Sequence, residues 1–427
     1  MAKVEYLIEK INNGDNPVFK ELYGNDKKVL KQQADRYVKL MRDFSKEYGV
    51  NDVDLFSSPG RTEIGGNHTD HQYGRVLAGA VNMDNIAVAA KNNTNIINIK
   101  SEGYPEFSVD LSNIELDESK FYTSEALVKG ICKRMLDYGY KVEGFNAHIH
   151  GNVLKGSGLS SSASFEVLIG TIIGNLFNGG KPDPVENAII GQWAENNYFG
   201  KPCGLMDQTA CSVGGFITID FKDPAKPVVK SVDFDFVKTG YTLVITDTGG
   251  DHANLNDEYA SLPKEMKSVA KALGKEVMRE VSMDEFIKAI PVIRKDVGDR
   301  ALLRAYHFLN DNERVVYQVK ALESNDFQEF LKLVIESGYS SYMYNQNVYT
   351  GNDPKRQSVA LGLTLSEKIL KGKGAWRVHG GGFAGTIQAF VPEELLDDYV
   401  NILESVFGEG NCHKLFIRPK GSIKIDL

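Results

Sequence analysis

Gly151-Asn-Val-Leu-Lys-Gly-Ser-Gly-Leu-Ser-Ser-Ser-Ala-Ser164 places glycines and three successive hydroxyls directly before an apolar run that continues to Phe177. Gly156 and Gly158 accept backbone angles closed to other residues, so consecutive N–H groups can turn toward one point. A helix predicted to start near Ser160 adds its positive N-terminal end. This combination builds an anion site, and a polyphosphate is its natural guest. A flexible Gly/Ser connector is the competing reading. Linkers run on into polar sequence, however, whereas residues 163–177 are apolar enough for a helix buried on most sides. A Walker-type loop is excluded, because Gly-x-x-x-x-Gly-Lys-[Ser/Thr] is absent and Lys155 precedes the glycines.

The surrounding chain has 427 residues, which exceeds one ordinary core and predicts two domains. Its 42% hydrophobic and 25% charged residues are those of a soluble globular protein. A net charge of -8 without a dense basic patch argues against nucleic acid. No run of about 18 apolar residues predicts a membrane span. The N-terminus reads as a mixed-charge amphipathic helix without the features of a signal peptide, so a cytoplasmic location is expected. Cys132, Cys203, Cys211 and Cys412 lack CxxC spacing and are read as reduced, packed thiols.

Residues 1–50 read as a helical extension packed on the first lobe, with Val29, Leu30, Ala34, Val38, Met41 and Phe44 near three- and four-residue spacing. From Val53 to about Ile99 the pattern is strand-like, and helices are predicted at 122–139, 162–177 and 184–198. The Pro/Lys-rich stretch 222–227 approaches a domain border, dividing the chain into lobes at 1–235 and 236–427. The second lobe opens with a strand at 241–246, continues mostly helical over 283–338 and ends in β-α-β content.

Three further clusters carry polar chemistry. In Ser58-Pro-Gly-Arg-Thr-Glu-Ile-Gly-Gly-Asn-His-Thr-Asp-His-Gln-Tyr-Gly74, the side chains of Arg61, Asn67, His68, Asp70 and His71 crowd donors and acceptors into a loop, as a polyhydroxylated ligand requires. The His68/His71 pair lacks further ligands at useful spacing for zinc. In Cys203-Gly-Leu-Met-Asp-Gln208, Asp207 sits among apolar neighbours and is the best general-base candidate. The turn Gly380-Gly-Gly382 with Gly385 is open to two readings, a second backbone approach to phosphate or a tight turn before a strand.

Taken in order, these clusters resemble the galactokinases of the GHMP small-molecule kinase superfamily. The galactokinase signature Gly-Arg-Val-Asn-Leu-Ile-Gly-Glu-His-Thr-Asp-Tyr-Asn-x-Gly is matched at Gly60, Arg61, Gly66, His68, Thr69, Asp70 and Gly74, and Gly-Leu-Ser-Ser-Ser-Ala at 158–163. The segments Ala194-Glu-Asn196, 203–208, 257–259 and 380–385 resemble further family motifs. The resemblance implies an α+β, two-lobed GHMP kinase fold. Its N-terminal α/β lobe would be ribosomal protein S5 domain 2-like and its C-terminal lobe ferredoxin-like α+β. It also implies a monomeric transferase of galactose metabolism that phosphorylates the anomeric hydroxyl of galactose with ATP and Mg2+. Asp207 and Arg61 would be catalytic. Asn67, His68, Asp70, Gly204 and Tyr259 would bind sugar, and Gly156, Ser157, Gly158, Leu159, Ser160, Ser161 and Ser162 would hold the phosphates. Ser162 and Glu195 are the metal-ligand candidates, with oxygens that suit Mg2+.

Two positions depart from the signature, with Glu63 where the family has asparagine and Asn67 where it has glutamate. The family glutamate accepts a hydrogen bond from the C6 hydroxyl of the sugar. Asn67 there makes galacturonate, or another altered hexose such as N-acetylgalactosamine, a rival substrate. Non-catalytic sugar sensors of the same family are the rival of another class, and the intact Ser162-Ala163 and Asp207 favour catalysis.

Overall fold

The computed structural model describes residues 2–13, 16–153, 158–249, 255–350 and 354–427, the side chain of Asn256 excepted. Three helices open the chain at Val4–Asn12, Pro17–Tyr23 and Lys27–Tyr48. Asn16 and Asp26 cap the second and third by accepting from the backbone N–H groups two and three residues on. Ala34, Tyr37, Leu40, Met41 and Phe44, at helical spacing on the long helix, are buried against Val53, Leu55, Ile86, Val88 and Ala90 of the first sheet. The three helices thus share a core with the first sheet.

That sheet has nine strands. Its main path runs Ala2–Lys3, Asp52–Gly65, Arg75–Lys91, Phe145–Gly151, Ile96–Ser101, Phe107–Asp110. Alternation along Arg75–Lys91 sends Ile86, Val88 and Ala90 to the N-terminal helices. Ala87 and Ala89 go to the opposite face, against Ile131, Leu168 and Ile172 of the helices Ser124–Asp137 and Ser161–Phe177. Burial on both faces explains the apolar runs at 76–81 and 86–90 within Arg75–Lys91.

The two long strands bend together. Pairing shifts register between Pro59 and Arg61, and again between Glu63 and Gly65. Below the first bend, Asn85–Lys91 pairs with Phe145–Gly151; beyond it, Arg75–Gly79 pairs with Phe216–Asp220. Arg61 therefore stands where the sheet changes partners and its two halves diverge.

The second sheet is antiparallel with four strands, in the order Ala375–Val378, Thr386–Pro392, Tyr241–Asp247, Cys412–Leu415. Chain order is strand, helices, strand, strand, helix, strand, which is the expected ferredoxin-like arrangement with an enlarged first crossover. The crossover carries the helices Asn256–Ala272, Met283–Val297, Asp299–Glu323, Phe327–Ser340 and Ser358–Leu370.

A division at 235/236 does not hold to the end of the chain. The strand Ile423–Ile425 returns to the first sheet and pairs with Leu55–Ser57, where Ile425 fills the core beneath the N-terminal helices. The lobes also share one core, in which Ile64, Leu77, Leu159 and Phe216 pack with Leu243, Ile245, Phe330 and Phe390. Among the described residues, no helix is long and apolar enough to cross a membrane.

Candidate active site

Arg61 reaches across from its strand to Asp207, in the first turn of the short helix Met206–Val213. The pairing is bidentate, Nε to Oδ1 and Nη2 to Oδ2, both at 2.7 Å. Ser160 also donates to Asp207 Oδ2, and Arg61 Nη1 donates to the carbonyl of Gly158. One ion pair thus joins the sheet bend, the Asp207 helix and the end of the glycine/serine loop. Burial pushes the Asp207 carboxyl up, but the Arg61 charge and the hydrogen bonds from Arg61 and Ser160 outweigh it and hold the group below its ordinary value. The Arg61 side chain is 9% exposed and that of Asp207 33%, so the anion keeps an open edge toward solvent.

The helix after the loop begins at Ser161, one residue beyond the predicted start near Ser160. Ser160 itself lies in the left-handed region at φ 58°, a strained choice for a residue with a side chain. The resulting turn aims its hydroxyl at Asp207. Ser161 gives its carbonyl to Asn85, and Ser162 is exposed. Leu159 is a core residue whose carbonyl accepts from Arg61 N at 3.0 Å. Gly60 makes that approach possible, because a Cβ there would lie 2.7 Å from the Leu159 carbonyl oxygen. Gly60→Ala is accordingly expected to lower kcat by about tenfold in steady-state assays, through a displaced Arg61. Gly156 and Ser157 lie outside the described residues.

The sugar-signature residues divide into two groups. Asp70 accepts from His71 N at 2.9 Å, and its Oδ2 faces Gly204, where a Cβ would stand 3.1 Å away. His68, neutral because burial pushes it down to about 4, donates through Nε2 to the carbonyl of Gly381 at 2.9 Å. Tyr259 donates to the carbonyl of Gly382 at 2.8 Å, its hydroxyl pushed up to about 12 by burial. Of the two readings of the glycine turn, the contacts favour a packed joint between lobes, since its carbonyls are taken by Asn67, His68, Tyr259 and Asn347.

Asn67, the expected sugar contact, is engaged within the protein. It is fully buried and its amide is saturated. Nδ2 donates to Glu63 Oε1 at 2.9 Å and to the Gly380 carbonyl at 2.8 Å, while Oδ1 accepts from Asn347 at 2.8 Å and Ser341 at 3.2 Å. Glu63 in turn pairs with the wholly buried Arg377 at 2.7 Å. The two departures from the signature are therefore one exchange between bonded partners. Carboxyl and amide have traded places, and the carboxyl now sits against Arg377, whose charge offsets only part of the burial that pushes Glu63 up to about 7.

Sequence reasoning missed His379, buried between the hydroxyls of Thr62 and Thr386, each 3.0 Å from a ring nitrogen. A Cβ at Gly158 would stand 3.2 Å from this ring. The preceding position of the glycine turn was visible in sequence, but its partner Thr62 lies 317 residues away. Glu195 is likewise buried, accepting from Gln208 at 2.9 Å and from Lys201 at 3.4 Å. Gln208 also donates to Glu166, whose carboxyl is driven well above its ordinary value by burial and by the Glu195 charge. Among the described residues no group of three or more His, Cys, Asp or Glu side chains forms a metal cluster.

Fold and site together define a small-molecule kinase of the GHMP class. Residues 126–215 match the GHMP kinases N terminal domain and residues 42–91 the galactokinase galactose-binding signature. The chain is 33% identical to the galactokinase of Clostridium tetani over 363 residues, covering 84% of this chain and 89% of that one. It is 30% identical to the galactokinase of Clostridium acetobutylicum over 370 residues, covering 83% and 89%. A crystal structure of Lactococcus lactis galactokinase complexed with galactose superposes with a TM-score of 0.75 at 26% identity, covering 91% of this chain and 99% of that chain. The mevalonate kinase of Methanococcus jannaschii shares the fold at a TM-score of 0.61 and 15% identity, covering 86% and 98%. The chain belongs to the galactokinase family.

Proposed function

We propose that this chain transfers the γ-phosphoryl group of ATP to the anomeric C1 hydroxyl of galactose, releasing ADP and galactose 1-phosphate. The observation that carries the reading is the Arg61–Asp207 fork, locked to Gly158 and Ser160 of the phosphate loop. A bond forms between the C1 oxygen and the γ-phosphorus as the bond to the β,γ-bridging oxygen breaks. The hydroxyl proton passes to the open edge of Asp207. Because Arg61 keeps Asp207 ionised, the carboxylate orients the hydroxyl and takes its proton late, while Arg61 faces the charge that develops on the phosphoryl oxygens. The protein supplies position and charge, with little covalent work.

Mg2+ would be held by Ser162 and Glu195, whose hydroxyl and carboxylate oxygens suit it. Lys201 already pairs with Glu195 at 3.4 Å, so Mg2+ bound by this carboxylate would displace the ammonium. Bound there, the metal supplies neutralisation of the phosphate charge. Asp70, beside Gly204, and His68 bind the sugar, which leaves Asn67 to shape the loop without touching the substrate. This removes the reason for expecting a C6 carboxylate, and galactose is the substrate assigned.

The test is ADP release across galactose, galacturonate and N-acetylgalactosamine, in single-turnover and steady-state form. Galactose should dominate; a preference for the uronate overturns the substrate, and no ADP release with any sugar overturns catalysis in favour of a sensor. Asp70→Ala is expected to raise KM for galactose by about tenfold or more, with KM for ATP within about twofold.

A further inference from the structure

Tyr23 and Arg36, on the N-terminal helices, precede both family matches, yet their side chains reach Asp84 and His150 at the base of the phosphate loop. That loop leaves the strand Phe145–Gly151 and returns as the helix Ser161–Phe177, and neighbouring residues at the bend of Arg75–Lys91 hold both ends. Asp84 and Asn152 exchange two bonds, Asn152 N to the Asp84 carbonyl at 3.0 Å and Asp84 N to Asn152 Oδ1 at 2.7 Å. Asn85 Nδ2 donates to Ser164 Oγ at 2.9 Å and to the Ser161 carbonyl at 3.4 Å.

The Asp84 carboxylate is fully buried, accepting from Tyr23 at 2.6 Å, Arg36 at 3.0 Å, Ser57 at 2.5 Å and Arg418 at 3.3 Å. Two of these four donors come from the N-terminal helices. Arg36 does more than neutralise Asp84. Its Nη2 also donates to the carbonyls of Asp84 at 3.4 Å and His150 at 3.5 Å, and its Nε donates to His150 Nδ1 at 3.3 Å. The planar guanidinium thus bridges the corner that grips Asn152 and the strand that leads into Asn152. A flexible ammonium cannot reproduce that span.

We infer that the N-terminal helices brace the nucleotide loop of this kinase, with Arg36 as a positioning residue for ATP. The inference rests on the reading of 156–162 as the phosphate site. Bracing acts on one substrate only, because the sugar contacts at Asp70 and His68 hang on the other half of the sheet and on the Gly381 turn.

The experiment compares KM for ATP and for galactose in the full chain, with melting temperature as a check on folding. Arg36→Ala leaves Asp84 its bonds to Arg418, Ser57 and Tyr23, so the variant should fold. It is expected to raise KM for ATP by about tenfold and to leave KM for galactose within about twofold. Arg36→Lys should fall between it and wild type, and Lys31→Ala, an exposed position on the same helix, should match wild type. Equal rises in both KM values, or no rise in either, overturn the brace. Ser162→Ala tests the loop itself: an unchanged KM for ATP there overturns the phosphate-site reading, and the brace with it. A raised value there with an unmoved Arg36→Ala overturns the brace alone.

Discussion

Asp207→Asn lowers kcat by about a thousandfold or more, with both KM values within a few-fold, when ADP release is followed under saturating galactose and ATP. The amide is nearly isosteric and keeps an oxygen for one arm of the Arg61 fork, so the loss isolates charge and proton acceptance from shape. Asp207→Ala is the poorer probe, because stripping a partner from the buried Arg61 costs about 3–5 kcal/mol and confounds catalysis with folding. A kcat for Asp207→Asn within about tenfold of wild type would remove Asp207 from the reaction. The same variant reports on pH. The folded carboxyl titrates below its ordinary value, so its contribution to stability is present above the unfolded pKa and fades as pH falls through the folded one. The gap in unfolding free energy between wild type and Asp207→Asn should therefore be constant near neutrality and close in acid, below about pH 4.

Asn67→Glu is the second large expected effect, in this case on stability. A carboxylate at that position meets the Glu63 carboxyl and the Gly380 carbonyl, both of which now accept from the amide. Glu63 would keep Arg377 but lose its second donor, the Gly380 carbonyl would lose the Asn67 amide, and another buried carboxyl would enter, a cost of about 3–5 kcal/mol in urea unfolding. The reciprocal double substitution Glu63→Asn/Asn67→Glu removes the like charges and supplies a new amide as donor. It should recover at least about 1.5 kcal/mol relative to the sum of the single changes. Additive single effects would show that the two positions are not one exchanged pair. KM for galactose should worsen in Asn67→Glu and recover in the double, since the loop carries His68 and Asp70.

These two sites differ in how far sequence could reach them. Arg61, Asp207 and Ser160 were legible because each lies in a short local pattern whose chemistry is stated by its own neighbours. The extension was legible as helices through the spacing of Ala34, Met41 and Phe44. The bracing contact of Arg36 with His150 was not, because it joins residues 114 positions apart. The burial of Asn67 was hidden for the same reason. Apart from Glu63, four residues back, its partners His307, Asp311, Ser341, Asn347 and Gly380 lie at least 240 residues on, so the saturation of the amide was out of local reach. The strand Ile423–Ile425 is three residues long, too short for alternation to declare itself.

That last strand has a consequence for how the protein is made. During synthesis the first sheet and the extension packed on it emerge early, but Leu55–Ser57 waits for Ile423–Ile425, and Asp84 waits for Arg418. Until residues 418–425 have been made, that strand flank stays unpaired and the buried acid lacks one of its two arginines, so closure of the first sheet depends on a segment synthesised long after it. Closure between segments this far apart in the chain is entropically slow, and until it occurs the first sheet keeps an unpaired strand flank.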